Sequence, residues 1–129
     1  MVDQTKNNFS LKKRLKSFSY AFKGIAFVLK TQHNAWIHLL ATLLAVGLGF
    51  AFSISQSEWI AIIICIGVVL AFETMNTSVE LLCDARFPDY DKRAERIKDT
   101  AAGAVFLVAM ASLIVGLIIF LPKIILVLS

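Results

Sequence analysis

Apolar positions fall in three long runs separated by polar breaks. The first, AWIHLLATLLAVGLGFAFS, covers 35–53 without a charge. The second opens at Trp59 and stays apolar only to Phe72. The third, AAGAVFLVAMASLIVGLIIFL, covers 101–121. A helix needs about 20 residues to cross the hydrocarbon of a bilayer. The first and third runs meet that length. The second meets it only if its helix continues through the polar stretch ETMNTSVELL, which predicts a span over 59–83. Ahead of these runs, Leu11, Leu15, Phe18, Phe22, Ile25 and Leu29 recur every three or four residues. Lys12, Lys13, Arg14, Lys16 and Lys23 lie off that stripe, so 9–31 reads as an amphipathic helix in the membrane interface. Residues 1–8 are polar and expected to fray. Pro88 must lie beyond the second span. Asp89 or Asp91 can cap the next helix, so 84–99 reads as a loop and a helix start. The expected fold is an all-α membrane protein of one domain, 1–129: an N-terminal amphipathic surface helix plus three transmembrane helices.

Composition agrees with that reading. The chain of 129 residues is 58% hydrophobic, with a mean hydropathy of +0.76. A water-soluble domain of this size has too little interior for so much apolar side chain. A basic stretch precedes the first run and no small-residue cleavage pattern follows it, so it is not a signal peptide. Charge gives the orientation. Lys6, Lys12, Lys13, Arg14, Lys16, Lys23 and Lys30 precede the first span, and Arg86, Lys92, Arg93, Arg96 and Lys98 follow the second. The intervening loop SISQSE has neither Lys nor Arg, and Lys123 alone remains for the other side. The N-terminus and the 84–99 loop are therefore expected in the cytoplasm, and the C-terminus outside. The formal net charge of +4 is mostly this asymmetry, suited to an anionic inner leaflet. No motif points to nucleic acid. Cys65 and Cys83 sit at different depths of one helix, so they cannot pair with each other, and neither has zinc-site spacing.

The polar end of the second span carries the chemistry. At 100° per residue, with Glu73 at zero, Asn76 falls at about −60°, Thr77 at +40°, Glu80 at −20° and Asp84 at +20°. These residues share one stripe, and such a stripe in a membrane helix faces protein or a wet cleft. Glu73 lies about 21 Å along the helix from Trp59, and Glu80 two turns nearer the cytoplasm. One carboxylate can meet a group dissolved in lipid, the other a group arriving from water. Gln32, Asn34 and His38 at the start of the first span, and Lys98 and Asp99 before the third, sit at the same level. Carboxylates with amides suit magnesium, and lysine with the N-terminal basic residues suits phosphate. No P-loop, GxSxG or HExxH motif occurs.

The stretch Glu73-x-x-Asn76-Thr77-Ser78-Val79-Glu80-x-x-Cys83-Asp84 resembles the signature of the small bacterial membrane lipid kinases, the prokaryotic diacylglycerol kinases with their undecaprenol kinase relatives. Ile97-Lys98-Asp99 followed by AAGAV resembles the second motif of the family, and the likeness covers about residues 9–123. It implies a homotrimer in the bacterial cytoplasmic membrane with active sites shared between subunits and facing the cytoplasm. Each site moves the γ-phosphoryl of ATP, with Mg2+, to a lipid hydroxyl: diacylglycerol to phosphatidic acid, or undecaprenol to undecaprenyl phosphate. By the resemblance Glu73 is the general base and Glu80 a magnesium ligand. Lys13, Arg14, Tyr20, Asn76, Glu80, Asp89, Tyr90, Asp91, Lys98 and Asp99 belong to the ATP site. Glu73, Lys23 and Trp36 belong to the lipid site. The chain departs from the family at Gln32, where a second metal-binding glutamate is usual. An amide oxygen there can still bind magnesium but brings no charge.

A different class of function uses the same residue types. Small oligomeric transporters or channels carry intramembrane carboxylates, and a structural subunit could use such groups as interhelical contacts. A conducting path should continue across the membrane, yet no charge occurs from Trp59 to Phe72 or from Ala101 to Leu121. Polar groups confined to one side favour an enzyme at the surface. Asn34-x-x-x-His38 and the GLIIFLPK ending lean towards the undecaprenol branch.

Overall fold

A computed structural model describes residues 10–129. Residues 1–8, including Lys6, and the expected helix start at Phe9 lie outside the described residues. Four helices follow in order: α1 (Leu11–Thr31), α2 (His33–Ala51), α3 (Gln56–Arg86) and α4 (Lys92–Leu128). Helices α2, α3 and α4 are long and apolar enough to cross a membrane. The chain is therefore the all-α membrane protein expected, with one amphipathic helix ahead of three spans.

Ser10 caps α1, its side chain accepting from the Lys13 N–H at 3.5 Å. Leu11, Leu15, Phe18 and Phe22 stay exposed along α1, and Val28 is its buried residue. Large apolar side chains on a basic helix without a protein partner are suited to the bilayer interface. The break before α2 is shorter than expected. Gln32 alone is extended (φ −107°, ψ 116°), and its N–H still bonds the Val28 carbonyl at 2.9 Å. His33 and Asn34 already belong to α2.

Between α2 and α3 the chain closes in a Schellman motif. Ile54 N–H reaches the Gly49 carbonyl at 3.1 Å and Ser53 N–H the Phe50 carbonyl at 3.2 Å. Ser53 has φ 48°, at the position where glycine is usual. Ser55 and Glu58 then form a reciprocal capping box that starts α3. The indole of Trp59 lies over Gly49, so close that a β-carbon there would meet Trp59 Cη2 at 2.6 Å. Ile54, Ile62, Ile119 and Phe120 form the buried core beside it. Glu58 and Lys123 join α3 to α4 at 2.7 Å. This end of the bundle is tightly tied, and the opposite end carries the polar stripe.

Helix α3 has 31 residues, about 46 Å at ~1.5 Å per residue, against roughly 30 Å of hydrocarbon. ETMNTSVELLCD is helical throughout. Helix α4 begins within the expected loop and helix start, where Asp91 caps it by accepting from the Arg93 N–H at 2.7 Å. The connection between α3 and α4 thus shortens to 87–91. Helix α4 also runs through Pro122 to Leu128. Proline removes one backbone donor, a loss that transmembrane helices absorb locally.

Candidate active site

Burial along the α3 stripe is graded. Glu73 is 2% exposed, Thr77 2% and Asn76 7%, whereas Glu80 is half-buried and Asp84 exposed. The Thr77 hydroxyl donates to the Glu73 carbonyl at 3.1 Å, which accounts for its own polar group. Glu73 is different. Its Oε2 has no hydrogen-bond partner, nor does Asn76 Oδ1, although both are buried. Buried polar atoms are nearly always partnered in folded proteins, so two adjacent orphans make this the candidate site. Both residues line a cleft of about 240 Å³ with Asn34, His38, Val105 and Phe106. His38 Nε2 stands 3.8 Å from the orphaned Glu73 oxygen.

Glu80 stands two turns along α3, gripped from both sides. Gln32 Nε2 donates to its Oε2 at 3.3 Å, and Asn76 Nδ2 to its Oε1 at 2.9 Å. Asn76 thus reaches Glu80 with its nitrogen, and its buried oxygen is left without a partner. No three His, Cys, Asp or Glu side chains converge on a metal position among the described residues. Magnesium seldom needs such a cage: it binds through one or two carboxylates plus substrate phosphates and keeps several waters. One half-buried carboxylate fits a magnesium ion brought in with a nucleotide, and Gln32 would join it by turning toward the ion its amide oxygen in place of the nitrogen it presents to Glu80.

The other residues singled out in the sequence divide. Lys98 pairs with Asp84, joining the end of α3 to the start of α4. Asp99 is exposed beside it. Tyr90 is 83% exposed and donates to Glu95 Oε2 at 2.8 Å, and that carboxylate pushes its hydroxyl pKa upward. Asp91 is taken by Arg93, through Nε at 3.1 Å and Nη2 at 2.7 Å. The Arg93 guanidinium and backbone N–H hold its carboxyl down at about 2. Asp89 is exposed in the same connection. Lys13, Arg14, Tyr20 and Lys23 stand exposed on α1, with Lys16 and Lys23 each 5.9 Å from the Tyr20 ring centre. Trp36 is 59% exposed on α2. Within one chain, Glu73, Asn76, Glu80 and Gln32 come together, and none of Lys13, Arg14, Tyr20, Lys23 or Trp36 lines the cleft.

Asn34 and His38, which the sequence put at the level of the stripe without a role of their own, line the cleft. Their i, i+4 spacing put them on one face of α2, but only the packing shows that this face meets Glu73. His38 also borders a second, apolar groove of about 370 Å³ between α2, α3 and α4, which runs past Ala45, Ile66 and Gly116 to Ile124. It is the junction between a polar cleft and an apolar one.

The family model described as prokaryotic diacylglycerol kinase matches residues 19–120. The chain is 35% identical over 122 residues to an undecaprenol kinase of Bacillus subtilis (strain 168), covering 95% of this chain and 99% of that protein. It is 37% identical over 114 residues to a diacylglycerol kinase of Synechocystis sp., covering 84% of this chain and 62% of that longer protein. The family match takes in α2, α3 and most of α1 and α4, with every residue of the Glu73 cleft. The chain belongs to the prokaryotic diacylglycerol kinase family of lipid kinases.

Proposed function

We propose that the chain transfers the γ-phosphoryl of ATP to the hydroxyl of a membrane lipid, with Glu73 as general base. The observation that carries this reading is the buried, unpartnered oxygen of Glu73, a residue lining a cleft with polar and apolar walls, two turns from a carboxylate held by amides. Phosphoryl transfer needs positioning and charge neutralisation more than covalent chemistry. Glu73 takes the proton of the attacking hydroxyl, and Asn76 bridges the base and the metal-binding carboxylate. Glu80 and Gln32 would hold magnesium, which neutralises phosphate charge when bound. Lys98, Asp99, Tyr20, Lys13, Arg14 and the Asp89–Asp91 segment serve the nucleotide. Lys23 and Trp36 serve the lipid at the interface.

The same reading places the N-terminus and the site on the cytoplasmic side of a bacterial membrane, supported by the charge asymmetry. The chain forms one kinase domain and works as a homotrimer. Lys13 lies about 28 Å and Tyr20 about 18 Å from Gln32 along α1, at ~1.5 Å per residue. That separation supports a site completed by α1 of a neighbouring chain.

The alcohol is a polyprenol such as undecaprenol in preference to diacylglycerol. The near-complete overlap with the Bacillus subtilis relative supports this, as does the shape of the apolar groove. From Ala109 to Ile124 the groove follows α4 for about 22 Å, more than one leaflet of hydrocarbon. The groove offers one such path, which matches the single hydrocarbon chain of a polyprenol better than the two of diacylglycerol.

The test is label transfer from γ-labelled ATP by purified protein in micelles containing undecaprenol or diacylglycerol, with and without magnesium. Labelled polyprenyl phosphate is expected to dominate, and chelation to abolish it. Glu73→Gln should lower the rate by about 10²–10⁴-fold, the usual worth of general base catalysis. Full activity of Glu73→Gln would remove the base assignment. Faster labelling of diacylglycerol would reverse the choice of lipid.

A further inference from the structure

We propose that His38 is a substrate-holding residue, its Nε2 and the Glu73 Oε2 together bracketing the lipid hydroxyl. This rests on the lipid kinase reading and adds a residue to it. The gap between the two atoms is 3.8 Å, too wide for a direct hydrogen bond. An oxygen seated about 2 Å to the side of the line joining them would lie at about 2.7–2.9 Å from each, which are ordinary hydrogen-bond lengths. The Glu73 oxygen facing that gap has no partner of its own. His38 is mostly buried, with 18% of its side chain exposed. It borders both the polar cleft around Glu73 and the apolar groove. A lipid alcohol needs that junction, because its hydroxyl and its first carbons must part there.

A hydroxyl has one proton and two lone pairs. The proton points to Glu73 Oε2, and one lone pair accepts from His38 Nε2–H. The second lone pair is left to attack the γ-phosphorus. As the new oxygen–phosphorus bond forms, the bond to the β-phosphate oxygen breaks, ADP leaves, and the hydroxyl proton passes to Glu73. His38 donates throughout and gains or loses nothing. The tautomer with hydrogen on Nε2 is the one this role requires.

The facing atom makes the idea testable by geometry. A glutamine amide nitrogen reaches as far as Nε2, whereas an asparagine nitrogen stops near Nδ1. The experiment compares His38→Gln, His38→Asn and His38→Leu in the purified full chain, measuring kcat and the KM values for undecaprenol and ATP. Melting temperatures in detergent serve as the folding control. His38→Gln should keep kcat within a few-fold. His38→Asn and His38→Leu should lose about 10–100-fold in kcat, since misplacement by about an ångström costs on that order. KM for ATP should be unchanged in all three. Wild-type kcat in His38→Leu, or equal rescue by Asn and Gln, would overturn the assignment. So would a His38→Gln as slow as His38→Leu with an unchanged melting temperature. An inactive wild type, with every lipid alcohol tried, would instead defeat the kinase reading beneath it.

Discussion

Gln32→Glu puts the metal site to its most direct test. In the parent, Gln32 Nε2 donates to Glu80 Oε2 at 3.3 Å. The variant removes that bond and brings a second negative charge to about the same distance. Two like charges this close repel by roughly 1 kcal/mol in water and about 5 kcal/mol at an effective dielectric of 20. Glu80 is half-buried, so the cost falls between these limits, lowered further where the new carboxylate swings away. Without divalent cation the variant should therefore melt below the parent. With magnesium the order should close or reverse, because two carboxylates and phosphate oxygens match the preference of this ion. Each ~1.4 kcal/mol of repulsion relieved by the metal is a tenfold gain in affinity. The magnesium concentration giving half-maximal activity should accordingly fall by about ten-fold or more. Thermal unfolding with and without magnesium, plus a magnesium titration of lipid phosphorylation, reads both effects. Equal magnesium dependence of parent and variant in both assays would refute Glu80 and Gln32 as the metal site.

Three further outcomes follow from other parts of the molecule. Gly116→Leu should raise KM for the polyprenol with KM for ATP and melting temperature unchanged or higher, because a β-carbon at Gly116 meets no atom within 4 Å and Gly116 lines the apolar groove; kinetics unchanged for both substrates would mean the tail runs elsewhere. Gly49→Ala should lower thermal stability by about 1–3 kcal/mol, the usual cost of overpacking, since the added carbon meets Trp59 at 2.6 Å, and Gly49→Ala with Trp59→Leu should recover part of it. The Asp91 carboxyl should titrate near 2 by NMR; its pKa is lowered on folding, so its support of the α4 start is complete above pH ~4 and is lost as the pH falls through about 2.

The stripe of α3 was legible because helical periodicity alone places Glu73, Asn76 and Glu80 together, and continuing the second apolar run to spanning length requires the same helix. From the residues alone the pairing of Glu80 with Gln32 was legible only as a shared depth, and the resemblance put both at the metal. The hydrogen bond between them depends on the single extended residue between α1 and α2, where the sequence suggested a polar break from Thr31 to Asn34. Asp84 lies on the stripe by angle, yet at the exposed end of the helix it pairs with Lys98. The angle carries no information about that neighbour. Helix α4 starts at the Asp91 cap, one of the two that the sequence offered, and only its other end runs past the expected 121, because the tolerance of Pro122 acts on hydrogen bonds that an apolar run does not record.

The two ends of the bundle have opposite tasks, and their packing reflects it. At the Trp59 end, a buried core, a capping box and the Glu58–Lys123 pair join α2, α3 and α4. At the Glu73 end, two buried polar atoms stay unpartnered, and orphaned groups of this kind each cost about 1–3 kcal/mol. A structural role for Glu73 and Asn76 would satisfy those atoms, since structural polar contacts across membrane helices exist to do so. A conducting path would continue the polar groups along α3, but the apolar groove beyond His38 is lined by residues such as Ala45, Ile66 and Phe120. An enzyme whose substrate supplies the missing partner, and whose substrate tail is hydrocarbon, accounts for both the orphaned atoms and the apolar groove that begins beside them.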